Sequence, residues 1–151
     1  MKLEIGGNGK REGFVQMNLK KEEWVDIVHD LAKIPYPFST GEIEHLVALR
    51  CLEHIPYHEI VGVISEWARL IKQNGILQVI VPDFIKIVDD YKAGMYDDEL
   101  AMVYIYGGQH DEFDFHKCGF TMRILKKIFE PYFYIKIERM DGELVLMGVR
   151  K

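Results

Sequence analysis

The chain has 151 residues, 48% of them hydrophobic, and a formal charge of −5. That length suits one domain, since domains commonly run to roughly 100–200 residues, and it is enough to bury a sizeable core. The acidic balance argues against a broad nucleic-acid-binding surface, and no run approaches the ~18 apolar residues of a membrane span. Cys51 and Cys118 lie far apart without a CxxC pair, so they read as reduced and buried rather than as a disulfide or zinc site. The start Met-Lys-Leu-Glu has no signal-peptide pattern, and a soluble cytoplasmic protein is expected.

Lys2-Leu-Glu-Ile-Gly-Gly-Asn-Gly9 reads as a short strand over 2–5 that runs into a glycine-rich turn. Such a turn can cradle the nucleoside end of a cofactor, although the same residues also make ordinary hairpins. A strand is expected over 14–18, then one helical turn over Lys20–Trp24 and an alternating, β-branched strand over 25–29. Pro35-Tyr-Pro-Phe38 is extended, Ser39-Thr-Gly41 turns, and 43–49 is a largely apolar strand. Residues 57–72 form an amphipathic helix with Ile60, Val63, Ile64, Trp67, Leu70 and Ile71 on one stripe, ending at a left-handed cap in Gln73-Asn-Gly75. The nearly continuous apolar run 76–81 predicts a strand covered on both faces. Helices follow over 83–91, 97–106 and 121–129, and strands 133–139 and 143–150 join through Met140-Asp-Gly142, a hairpin signal. The order predicts one compact α/β domain over 1–151, with a mostly parallel sheet closed by an antiparallel strand.

Six short blocks in order resemble the class I S-adenosylmethionine-dependent methyltransferases, in particular a small subgroup with abbreviated early helices. Leu3-Glu-Ile-Gly-Gly-Asn-Gly9 is similar to the family's first-strand glycine loop, and Phe14-Val-Gln-Met-Asn18 to its second strand. Val28-His-Asp-Leu31 with Pro35-Tyr-Pro-Phe38 looks like the block after the third strand, and Cys51-Leu-Glu-His-Ile55 like the block after the fourth. Arg69-Leu-Ile-Lys-Gln-Asn-Gly75 looks like the turn into the fifth strand, which Val81-Pro-Asp83 closes. The resemblance implies a Rossmann-like, seven-stranded fold with a C-terminal antiparallel hairpin strand and a first helix missing or shortened. It also implies S-adenosylmethionine as cofactor, and the acidic chain fits a small-molecule or sugar-like hydroxyl acceptor better than a large nucleic acid.

On that resemblance, the cofactor residues are Glu4, Gly6, Gly7, Asn8, Gly9, Asn18, Asp30, Leu31, Leu49 and Arg50. Asn8 replaces a family glycine and also tolerates the left-handed region. Asn18 stands where an acid usually accepts from the ribose hydroxyls, and its amide offers one acceptor and two donors. Only Lys10–Gly13 separate the glycine loop from the next strand, so no helix N-terminus is expected to hold the cofactor carboxylate, and Lys10 and Arg11 are candidates to replace it. Each residue has a plainer reading beside it: Glu4 as an edge-strand surface acid, Asp30 as an Asx turn, Arg50 as a solvated cation.

The segment 104–120 holds the other concentration of chemistry. The resemblance lays it over the reactive methyl group, with His110 or His116 as proton acceptor, His54 as a further catalytic candidate, and Tyr106, Gln109 and Asp83 on the acceptor side. His110 and His116 with the acids between them are a weak metal pattern, with no second ligand pair to complete it, and no metal is expected. Two other classes fit the chain: a methyltransferase-fold scaffold without cofactor, and a different nucleotide-binding α/β module. The oligomeric state is not legible.

Overall fold

The computed structural model describes all residues 1–151. Seven strands form one sheet: β1 (Lys2–Gly6), β2 (Val15–Asn18), β3 (Ile27–Val28), β4 (Ile43–Leu49), β5 (Ile71–Pro82), β6 (Phe133–Met140) and β7 (Glu143–Arg150). Their order is β3-β2-β1-β4-β5-β7-β6, and β7 alone runs against its neighbours. The four helices are α1 (Tyr57–Leu70), α2 (Phe84–Lys92), α3 (Asp98–Tyr106) and α4 (Met122–Phe129).

Alternation in the strands decides which face is buried. Leu3, Ile5, Leu46, Ala48, Leu77, Val79, Val81, Leu144 and Leu146 pack under α1 and α4 with Trp67, Phe129 and Phe133 as one core. On the opposite face no helix intervenes between β1 and β4. Residues 7–14 connect β1 to β2, well short of the dozen or more residues of an ordinary parallel crossover. Phe14 folds back there, edge-on to His45 at 5.2 Å, with the Arg11 guanidinium 5.4 Å above its ring. Glu4, Gln16 and Val47 are buried on that face, so it is open only along β5, β7 and β6. β5 alternates between buried and partly exposed residues, so it is covered on one face rather than two. Ile76, Met147 and Val149 are each about two-fifths exposed, and Tyr134 is 68% exposed.

Three local expectations change for tertiary reasons. Lys20–Trp24 forms no helix, because the chain is drawn into the sheet: Asp26 N–H donates to Gln16 O and Gln16 N–H donates to the Asp26 carboxylate. The strand expected over 25–29 shrinks to Ile27–Val28. Helix α1 stops at Leu70 because Ile71 already pairs with Ile43, so Asn74, at φ 62°, takes its left-handed turn inside a bulge of β5 and not at the helix cap.

The chain before β4 is tied to α1 by a charged network. Glu66 accepts from Tyr36 N–H at 2.7 Å and from two Arg69 nitrogens at 2.8 and 2.6 Å, while Arg69 also donates to Phe38 O and Thr40 Oγ1. The Arg69 guanidinium holds the Glu66 carboxyl below its ordinary 4.5. Stability from this group is therefore complete above about pH 4.5 and is lost as the pH falls through the lowered value. Glu66→Gln is expected to cost about 1–3 kcal/mol at neutral pH, the range for a hydrogen bond to a charged group. In urea unfolding the gap to wild type should narrow on acidification; a gap independent of pH would remove the ionic account.

Candidate functional site

The strand order reverses between β1 and β4, the place where open α/β sheets bind ligands beyond their carboxyl ends. Gly6 and Gly7 sit there at φ 76° and 75°, in the left-handed region. A Cβ on Gly6 would lie 2.5 Å from Leu49 O and 2.9 Å from Cys51 Cβ, so only glycine fits. Gly7 N–H then donates to Leu49 O at 3.1 Å, fixing the turn against β4. Asn8, exposed, is not left-handed; the two glycines before it supply the turn. Gly9 has open space where a side chain would project.

Around this turn, Asn18 Nδ2 donates to Gly7 O at 3.3 Å and its Oδ1 accepts from Leu19 N–H at 2.7 Å. A carboxylate at position 18 could not donate that first bond, which gives the amide a physical reason. Asp30 Oδ1 makes the Asx turn to Ala32 N–H at 3.0 Å, leaving Oδ2 free, and Leu31 packs half-buried against the core. Glu4 is buried and ion-paired to Arg11, so it is not a surface acid; Lys10 reaches Asp26 at 3.5 Å. Both cations that could have replaced a helix N-terminus are thus engaged with acids. Leu49 is half-buried at the end of β4, and Arg50, at φ 46°, pairs with Glu143. The backbone turn, Asn18 and Asp30 fit the nucleoside half of S-adenosylmethionine, because they offer a side-chain-free approach, an amide and a free carboxylate oxygen.

A second cluster forms beside the start of α2. The single 3-10 turn Leu52–His54 is stitched to the loop after α3 by backbone bonds: Lys117 N–H and Cys118 N–H both donate to Glu53 O, at 2.8 and 3.3 Å. His54 and His116 meet edge to face at 5.0 Å. With Glu53 they bring three ligand-type atoms within 4.8 Å of one another. Glu53 is 2% exposed and its Oε2 has no hydrogen-bond partner. Burial pushes its carboxyl up to about 7, the raising effect outweighing a backbone hydrogen bond and Arg50. His116 is lowered, first by burial and then by neighbouring His54. Glu53 and His116 line a narrow cleft with Pro82, Phe84, Ile87 and Phe120 as its apolar wall.

The other expected acceptor-side residues stand apart. His110 is exposed, pairing with Asp114 at 2.8 Å, and Asp111 pairs with Lys20. Tyr106 and Gln109 are exposed outside the cleft, which takes Tyr104 and Ile105 instead. Asp83 is 1% exposed and fully committed: Oδ1 caps α2 through Ile85 N–H and Oδ2 accepts from Arg139 Nε at 2.7 Å. Its place is structural, at the head of a polar groove whose charges, Lys86 with Asp90 and Arg50 with Glu143, satisfy one another. The residue to which sequence reasoning gave no role of its own is Glu53. Its one signal was an acid set among the apolar residues Leu52 and Ile55.

No known family profile matches the chain, and no curated protein matches it in sequence. Solved structures do match in shape. A Pyrococcus horikoshii protein superposes at a TM-score of 0.65 with 14% identity, over 92% of this chain and 73% of its own. A SAM-dependent methyltransferase from Archaeoglobus fulgidus gives 0.65 and 10% identity, over 91% and 76%. The Burkholderia thailandensis 1,6-didemethyltoxoflavin-N1-methyltransferase, solved with bound 1,6-didemethyltoxoflavin and S-adenosylhomocysteine, gives 0.62 and 12%, over 91% and 61%. No helix here is long and apolar enough to cross a membrane. The strand order, the antiparallel hairpin strand and these superpositions agree on one architecture: a Rossmann-like methyltransferase fold.

Proposed function

We propose that this protein transfers a methyl group from S-adenosylmethionine to a hydroxyl of a small molecule. The observation that carries the reading is the Gly6–Gly7 turn at the reversal of strand order, packed on Leu49 and Cys51, from which the chain leads directly to Glu53 and the cleft. When bound, the cofactor supplies a sulfonium methyl group open to in-line displacement. The chain's own part is positioning and exclusion of water. The peptide groups of Gly6 and Gly7 offer close approach, Asn18 keeps the turn in place, and Asp30 Oδ2 is free to accept from an adenine amino group. On the acceptor side, Phe84 and Phe120 wall the cleft, and Nε2 of His116, with His54 edge-on behind it, accepts from a hydroxyl or takes its proton. The acidic chain favours a small-molecule or sugar-like acceptor over nucleic acid.

Calorimetry with S-adenosylhomocysteine is the direct test. Wild type is expected to bind, and Asp30→Asn to weaken binding roughly tenfold, the effect of losing a charged acceptor. Asparagine retains the acceptor oxygen of the Asx turn, so the melting temperature should hold. No binding by wild type would favour a scaffold that shares the fold without the cofactor.

A further inference from the structure

We propose that Glu53, His54 and His116 form a binding site for one divalent first-row transition-metal ion. His54 Nδ1 lies 3.1 Å from Phe115 O, and His116 Nδ1 lies 3.1 Å from Tyr104 O. A carbonyl only accepts, so each Nδ1 carries the proton and each Nε2 keeps its lone pair. Metal-bound imidazoles are held in this way, the second nitrogen fixed by a carbonyl or carboxylate. The two tautomers are thus set by the backbone before any ion arrives.

Glu53 supplies the third donor. Its Oε2 is buried without a partner, which is costly for a carboxylate unless a cation or donor meets it. Two imidazoles and one carboxylate with a further position open form the donor set of catalytic zinc and non-haem iron sites. A tetrahedral ion with bonds of about 2.0–2.1 Å holds its donors roughly 3.3 Å apart. The trio, within 4.8 Å of one another, needs only a modest contraction. Cys118 is no fourth ligand: its Sγ faces the carbonyls of Leu52, Glu53 and Ile55, and burial pushes the thiol up to about 12. His110, tied to Asp114, takes no part.

Glu53 and His116 line the cleft, so an ion held there would take its further ligand from it, and on this reading that ligand is the acceptor's oxygen. This use, unlike the site itself, rests on the methyl-transfer reading. An ion-bound hydroxyl gives its proton to solvent more readily. Its oxygen lone pair then forms the C–O bond as the S–C bond breaks, releasing S-adenosylhomocysteine.

The test is titration of the metal-free full chain with Co²⁺, followed by its ligand-field absorption and displacement by Zn²⁺. One equivalent is expected to bind. Glu53→Gln and His116→Ala should each weaken binding tenfold or more, and His110→Ala should leave it unchanged. Glu53→Gln removes a buried unpaired carboxyl, so without metal it should melt no lower than wild type. Failure of wild type to bind Co²⁺, or wild-type affinity in both variants, would overturn the site. S-adenosylhomocysteine binding measured in chelator tests the cofactor reading separately, so either conclusion can fail alone.

Discussion

His116→Ala is expected to slow methyl transfer by about 10²–10⁴-fold, the usual contribution of a positioned proton acceptor, while S-adenosylhomocysteine affinity stays at the wild-type value. His116 lines the cleft proposed for the acceptor, and its Nδ1 proton is anchored on Tyr104 O, so the nitrogen left for chemistry is Nε2. Both uses of that lone pair, proton removal and ion binding, vanish with the ring. Nothing that His116 touches includes Gly6, Gly7, Asn18 or Asp30, so the cofactor side has no reason to respond. The measurement is S-adenosylhomocysteine release with a hydroxyl acceptor that supports turnover, run beside His110→Ala. His110 pairs with Asp114 in solvent, and its removal should change the rate little. Equal losses in the two variants, or a fall in cofactor affinity with His116→Ala, would displace His116 from the acceptor side.

Trp67→Ala is expected to cost about 3–5 kcal/mol, a large part of the roughly 5–15 kcal/mol that holds a domain together. Trp67 is fully buried on α1, its ring 6.4 Å from Phe129 of α4, so it joins the two helices that cover the sheet. Its indole N–H donates to Tyr36 Oη at 3.3 Å, tying in the segment before β4. Truncation leaves a cavity and an unfilled acceptor position on Tyr36, whose hydroxyl still donates to Leu31 O. Trp67→Phe should cost clearly less, since most of the volume remains. Urea unfolding of the three proteins decides the matter; a loss under about 1 kcal/mol for alanine would mean that α1 and α4 are held elsewhere.

The readable parts of the fold were those whose instructions are local. Met140-Asp141-Gly142 became the hairpin, with Asp141 at φ 47° and Gly142 at φ 85°, both left-handed as a two-residue loop requires. The apolar stripe of α1 and the alternation of β7 likewise carry their own periodicity. What failed locally was decided by partners distant in sequence. Lys20–Trp24 yielded to pairing with β2, and the last residues expected in α1 yielded to β4. The site follows the same division. The glycine turn is legible because positive φ selects glycine, but the engagement of Glu4 with Arg11, Arg50 with Glu143 and Asp83 with Arg139 is not. His110 and His116 sit in one loop with similar neighbours, and the bonds from Lys117 and Cys118 to Glu53 O, with His54 Nδ1 on Phe115 O, bring the second beside Glu53 and His54.

The uncovered part of the sheet, along β5, β7 and β6, alters the thermal behaviour of the whole molecule. The protein exposes 8521 Å², more than the roughly 8,000 Å² of a typical folded chain of this length. Ile76, Met147, Val149 and Tyr134 are already hydrated in the native state, so unfolding adds less new apolar surface than in a sheet clad on both sides. The heat-capacity change of unfolding should then fall below the usual ~12–15 cal/mol/K per residue. Its free energy would vary only gently with temperature, giving a broad, low stability curve with cold denaturation pushed further down the scale.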